Sequence, residues 1–190
     1  MSDAFKHEFK PMRRVVTGHN AQGQSCVLYD SAAPNTRPDA ARPGGGMVEF
    51  WCFDQVPVPL GGNRDDGRPP FTHDPPQHGA FLRFVRSLRI PAGYDPAKDP
   101  HAIPLHAPVF DPVTGRGDKG GRQAGRSVVH KTRSVDYGFV AAGRRTLILD
   151  AQEVPLGKGD FVIELGNYHA WSNPDDDSLM GYVMIGATYD

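Results

Sequence analysis

Cysteine is nearly absent from this 190-residue chain, which holds Cys26 and Cys52 alone. Two thiols cannot supply the multiple disulfides on which small secreted folds rely. Both sit in apolar runs, SCVLY and FWCF, where a thiol is expected to act as a small buried hydrophobe. Long apolar runs are missing too. No stretch approaches the roughly 18 apolar residues of a membrane span, and the opening MSDAFKHEFKPMRR lacks the apolar segment of a secretion signal. The expected location is therefore the cytoplasm. Charge of one sign is also lacking, with 21 Lys and Arg against 22 Asp and Glu, a net charge of −1. That balance leaves no electrostatic footprint for nucleic acid or an acidic membrane, so a small molecule is the expected partner. Apolar residues reach only 38%, whereas Gly (22) and Pro (18) are plentiful, which disfavours long helices and favours turns. The length suits one domain with elaborated loops better than two.

Along the chain, residues 13 to 29 read as two β-rich runs around NAQGQ, an opening hairpin. Ser31 to Gly46 is too rich in Pro and Gly to be regular, and MVEFWCF (Met47 to Phe53) supplies an aromatic strand. Val56 to Gly79 is again loop-like, and Gly79 to Pro91 alternates like a strand with two partly buried faces. Ala92 to Arg126 is expected to form a mobile or lid-like connection that borders the site it leads into. Beyond it, SVVHKTRSVDYGFVAAG, RRTLILD, EVPLGKGDFVIELG, HAWSN and LMGYVMIGATY follow at short intervals. Closely spaced short strands favour a sandwich or barrel over alternating strands and helices.

Two motifs stand out in that half. The first is His130, Lys131, Thr132, three residues, Asp136, six residues, Gly143. The second is Gly159, Asp160, FVIE, Leu165, Gly166, Asn167, Tyr168, His169, AWS, Asn173. Their order and separation resemble the cupin superfamily, whose first motif is HxH, three or four residues, Glu, six residues, Gly, and whose second is Gly, five residues, PxG, two residues, His, three residues, Asn. Here Asp136 stands for the Glu and Thr132 for the second His, the Pro is missing, and one residue is lost before Gly166. The match covers about Ser127 to Ala187. The combination HxTxSVDYG with GDxVxxxGxxHAWxN looks like a single-barrel, cupin-2-like subgroup. The resemblance implies an all-β jelly-roll barrel over residues 80–190, with the strands of residues 1–79 packed on it or on a dimer partner. A homodimer built partly on Phe50, Trp51 and Phe53 follows from the apolar area that strand carries.

Residues of equal parity share one face of a strand, so His130, Thr132, Ser134 and Asp136 point the same way. With His169 they set two imidazoles and a carboxylate at cupin ligand positions. The resemblance implies a divalent transition metal there, Fe with Mn, Ni or Zn as alternatives, bound by His130, His169 and, directly or through water, Asp136. Loss of the second motif His weakens such a site and keeps a metal-free one open. Structural readings stand beside these. The two His are hydrogen-bonded core residues on that reading, and Asp136 caps a turn or pairs with Arg133 or Arg145. Glu164 is either the solvent end of a strand or an inward acid suited to proton transfer. Trp171 either fills the core or walls a ligand pocket together with Thr132 and Ser134. Asn173 serves the turn before Pro174, and His101 and His106 are solvated residues of the long connection. His7, His19, His73 and His78 carry no signal.

Two functions from different classes follow. One is a metal-assisted enzyme acting on a small polar or aromatic acid or carbonyl compound, by oxygenase, decarboxylase or isomerase-like chemistry. The other is a non-catalytic cupin that binds a metabolite through hydrogen bonds from His130, Thr132 and His169.

Overall fold

The structure is a computed structural model that describes residues 9, 11–61 and 64–189, so His7 lies outside the described residues. The chain opens with β1 (Arg13–His19) and β2 (Ser25–Ala32), which form a two-stranded sheet of their own. Asn20 Oδ1 accepts the backbone N–H groups of Gln22 and Gln24, and Gly23 supplies φ 74 to close the turn. This is the hairpin expected around NAQGQ.

Two larger sheets make the body. The first runs, each strand antiparallel to the next, through β11 (Phe161–Leu165), the first half of β9 (Ser134–Ile148), β13 (Ser178–Gly186), β5 (Ala80–Ser87), β4 (Gly46–Phe53) and β3 (Asn35–Pro38). The second half of β9 leaves that sheet and pairs instead with β10 (Glu153–Gly157) and β12 (Ala170–Ser172). Bridges between Arg126 and Ser172 and between His130 and His169 carry this second sheet on to β8 (His130–Lys131), β7 (Gly117–Gly120) and β6 (Leu105–Phe110). A strand shared by two sheets closes an all-β jelly-roll barrel.

β9 changes sheet because its backbone is altered twice. Val140 pairs with Met180 and Ala142 with Leu179, so Ala141 is an extra residue, a β-bulge. Gly143 then takes φ 71, where a Cβ would lie 1.8 Å from the Asp177 carbonyl oxygen. A bulge bends its strand and reverses which residues face inward. Thr132, Ser134, Asp136 and Val140 are buried before it, Arg145 and Leu147 after it. Residues on either side of Gly143, read from the sequence as separate strands, are thus one strand of 15 residues. Phe81, Val140, Leu147, Trp171, Met180, Tyr182 and Met184 form the core between the sheets.

Four sequence expectations need correction. Ser31 to Gly46 is not irregular throughout, since it contains β3, whose Asn35 to Pro38 pair with Gly46 to Glu49. Ala92 to Arg126 holds a 3-10 turn, Pro96–Lys98, and the strands β6 and β7, so it is largely hydrogen-bonded structure. Phe50, Trp51 and Phe53 are only partly exposed, Phe50 packing edge-on to Phe84 and Trp51 lying under the Arg14 guanidinium. Cys26 and Cys52 are half-buried, and burial pushes the Cys52 thiol up to about 11. Among the described residues no helix is long and apolar enough to cross a membrane.

Candidate functional site

The polar residues singled out in the sequence meet between the two sheets. On the first sheet, Asp136 of β9 stands in register between Glu164 of β11 and Met184 of β13. Strand pleating turns Ile163 and Leu165 to solvent and Glu164 inward, 3% exposed, so the apolar surroundings of the acid come from the core and not from its chain neighbours. On the second sheet, His130 and His169 exchange backbone hydrogen bonds of 2.9 Å in both directions, and their ring centroids lie 4.5 Å apart. Thr132 and Ser134 are buried below them with their hydroxyls 2.8 Å apart. Trp171 is a core residue that also walls the site, its ring edge-on to His169 at 6.2 Å and to Tyr182 at 6.0 Å. Asn173 staples the turn after β12, its Nδ2 donating to the carbonyls of Arg144 and Asp176 and to Ser178 Oγ.

The electrostatics follow from burial without partners. Neither Glu164 oxygen has a hydrogen-bond partner among the described groups, and neither does Asp136 Oδ1. His169 Nδ1 comes within 3.2 Å of Glu164 Oε1, but its proton goes to the Asn167 carbonyl at 3.1 Å. Burial, reinforced by the charge of Asp136, raises Glu164 to about 8. Burial also raises Asp136 to about 6, against the opposing effects of the Ser134 hydroxyl and Arg83. Burial lowers His130 to about 3, helped by His169, Arg116 and His73, and lowers His169 to about 4, helped by Arg145. Burial thus favours the neutral form of all four groups, and of the two carboxyls Glu164 holds its proton the more firmly. Neither Arg133 nor Arg145 pairs with Asp136; they donate instead to the Val113 carbonyl and the Tyr182 hydroxyl.

The donors allow a test of metal fit. Nδ1 of His130 donates to the Val128 carbonyl at 2.9 Å, as Nδ1 of His169 does to Asn167, so both neutral rings carry the lone pair on Nε2, the form a ligating imidazole takes. Yet among the described residues no three His, Cys, Asp or Glu side chains are grouped to hold an ion. The set of His130, Asp136 and His169 expected from the resemblance is not assembled as a three-ligand site. Of the two carboxylates on the first sheet, it is Glu164 that approaches the imidazoles of the second, at 3.2 Å from His169 Nδ1.

Sequence reasoning missed what surrounds the cluster. Arg116 Nη1 lies 2.9 Å from His73 Nδ1 and 3.2 Å from Asp74, tying the 72–74 segment to the β6–β7 turn close enough to His130 to act on it. Arg83, buried against Glu49 at 2.6 Å, donates to the carbonyls of Thr72 and His73 and holds the same segment from behind. His106 lies in β6 with Nε2 3.2 Å from Asp118, while His101 is exposed, as expected. Arg145 and Tyr182 reach the cluster from below. The bulge at Ala141 hid Arg145, because even counting from Asp136 turns it outward.

No family model matches the chain. Phomopsin biosynthesis cluster proteins C' and D of Diaporthe leptostromiformis are each 42% identical to it over 170 residues, which cover 87% of this chain and 72% of theirs. Among solved structures, a Cupin 2 conserved barrel domain protein from Salinispora arenicola aligns over 80% of this chain and 81% of its own at 13% identity and TM-score 0.38. The Clostridium difficile EutQ protein aligns over 92% and 97% at 10% identity and TM-score 0.39. With its strands ordered as an all-β jelly roll, the chain belongs to the family of the phomopsin biosynthesis cluster proteins C' and D.

Proposed function

We propose that this protein is a single-barrel cupin enzyme that moves protons on a small acid or carbonyl compound, with Glu164 as general acid and Asp136 as general base. The observation that carries this reading is the buried cross-strand carboxylate pair, in which both Glu164 oxygens and Asp136 Oδ1 lack a hydrogen-bond partner among the described groups and burial raises Glu164 further than Asp136. Environments that push two carboxyls apart in this way separate acid from base. Asp136 takes a proton from the carbon next to a carbonyl while Glu164 gives its proton to the carbonyl oxygen. Asp136 then returns its proton to the same carbon, which exchanges it, or to the far end of a conjugated C=C, which isomerises the compound, while Glu164 takes back the enol proton and the carbonyl re-forms. The neutral imidazoles of His130 and His169 offer Nε2 to a substrate hydroxyl, and Trp171 excludes water beneath them. The names of the two relatives place them in a biosynthesis cluster, which supports a role in making a metabolite.

His130 and His169 are the two donors a divalent metal would use, and such an ion would act by polarising the same carbonyl. The reading assigns no step to it. Candidate keto acids and aryl ketones are to be incubated in deuterated water and their deuterium uptake followed by mass spectrometry. Glu164→Gln is expected to keep the fold and lower turnover by roughly a hundredfold to ten-thousandfold. EDTA is expected to leave turnover unchanged. Undiminished turnover in the Gln variant refutes the role of Glu164, and activity that falls with EDTA and returns with Fe, Mn, Ni or Zn moves the chemistry to a metal.

A further inference from the structure

Three arginines among the described residues are buried to 6% exposure or less: Arg14, Arg83 and Arg145. Arg14 is neutralised by a two-pronged pair with Asp65, and Arg83 by Glu49 at 2.6 Å. Arg145 forms no ion pair among the described residues. Its Nη1 donates to the Tyr182 hydroxyl at 3.3 Å, its guanidinium lies 4.9 Å from the Trp171 ring centre, and its Nε is buried with no hydrogen-bond partner. Aromatic faces and one long neutral hydrogen bond do not replace the water a guanidinium loses, and buried charges are kept where a counter-charge meets them.

That counter-charge is not the catalytic pair. Glu164 and His169 feel the charge of Arg145, but no ion pair or hydrogen bond among the described residues joins Arg145 to Glu164, Asp136 or His169. Arg145 also lines a cavity of about 290 Å³ together with Arg144, the carboxylates of Asp175 and Asp176, and the apolar Pro155, Leu156 and Pro174. Two arginines against two carboxylates leave this lining without a strong net charge, and a single carboxylate on a hydrocarbon body suits both its apolar residues and the fork of a guanidinium.

We propose that Arg145 is the anchor for the carboxylate of a small monocarboxylic acid that enters this cavity, whose lining includes neither Glu164 nor Asp136. The proposal goes beyond the proton-transfer reading and stands apart from it, since the ligand it names, an apolar-bodied acid, is recognised by Arg145 alone. Arg145 is a recognition residue here and moves no proton.

The test uses benzoate and its neutral counterpart benzamide, with binding to the whole chain measured by calorimetry and thermal melting. Benzoate is expected to bind about tenfold more tightly than benzamide, as a charge-assisted hydrogen bond allows. In Arg145→Met the two should bind alike, and Arg145→Lys should fall between. Without ligand, Arg145→Met is expected to melt at a higher temperature, since hydrocarbon replaces an uncompensated charge. Equal binding of the two probes to the unaltered protein, no binding of benzoate, or a lower melting temperature for Arg145→Met would each overturn the proposal. Glu164→Gln separates the two ideas. It is expected to keep the preference for benzoate while losing turnover, so preference without Glu164-dependent turnover leaves the anchor standing and removes only the proton-transfer reading.

Discussion

Buried acids and buried imidazoles pull stability in opposite directions as pH changes. Glu164 keeps its proton up to about 8 in the fold against an ordinary 4.5, and Asp136 up to about 6 against 3.8. Between those limits the folded chain binds protons that the unfolded chain has released, so stability falls as pH rises. His130 and His169, lowered to about 3 and about 4 from 6.5, do the reverse, and their contribution is lost as pH drops below 6.5. The melting temperature of the metal-free protein is expected to be nearly level between about 4.5 and about 6.5 and to fall on either side. Glu164→Gln should flatten the decline between 6.5 and 8, and a wild-type melting temperature still climbing across that interval would contradict the assignment. At this scale much of the site could be read in advance. Two motif His, the alternation from His130 to Asp136 and the acid at 164 were visible in order. Arg145 was not, because one extra residue at Ala141 reverses the alternation that counting depends on.

Among the elements, β9 was legible in content but not in continuity. Gly143 suggested a turn, and it is instead a residue at φ 71 within an unbroken strand. Gly143→Ala is expected to destabilise the protein by about 2–3 kcal/mol, since it adds a positive-φ penalty to a clash with the Asp177 carbonyl. For a domain of this size that is a fall in melting temperature of about 5 to 10 °C, measurable by circular dichroism. A variant melting with the wild type would show that the turn at Asp177 yields freely. β3, β6 and β7 were missed for a different reason. Each carries Pro or Gly that single-sequence reading assigns to loops, and β3 and β6 lie at sheet edges, where Pro is tolerated. Their strand character comes from the partner that each finds across the sheet, which no local window contains.

For the whole molecule, the apolar surface expected at Phe50, Trp51 and Phe53 lies elsewhere. Phe161, Ile163 and Leu165 point outward from β11 and are 72%, 54% and 72% exposed, opposite Phe139, Tyr137 and Val135 of β9 in register. With Tyr137 they expose on the order of 400 Å², about half of what one partner gives to an ordinary protein interface. Among the described residues β11 pairs with β9 alone, so the same face ends there in an open strand edge. A second copy of the chain, supplying the same apolar row and the same edge, is the expected occupant. Light scattering at micromolar concentration should give a dimer, and Ile163→Lys a monomer with an unchanged melting profile. A wild-type monomer would remove the interface. The course of β9 through both large sheets carries a further consequence. Because its two halves cannot be separated, neither sheet can open while the other stays closed, and partial opening is left to the β1–β2 hairpin, which shares no strand with them. Damage to any one strand of the barrel is therefore felt by all of them, and the protein either keeps its whole interior dry or loses it at once.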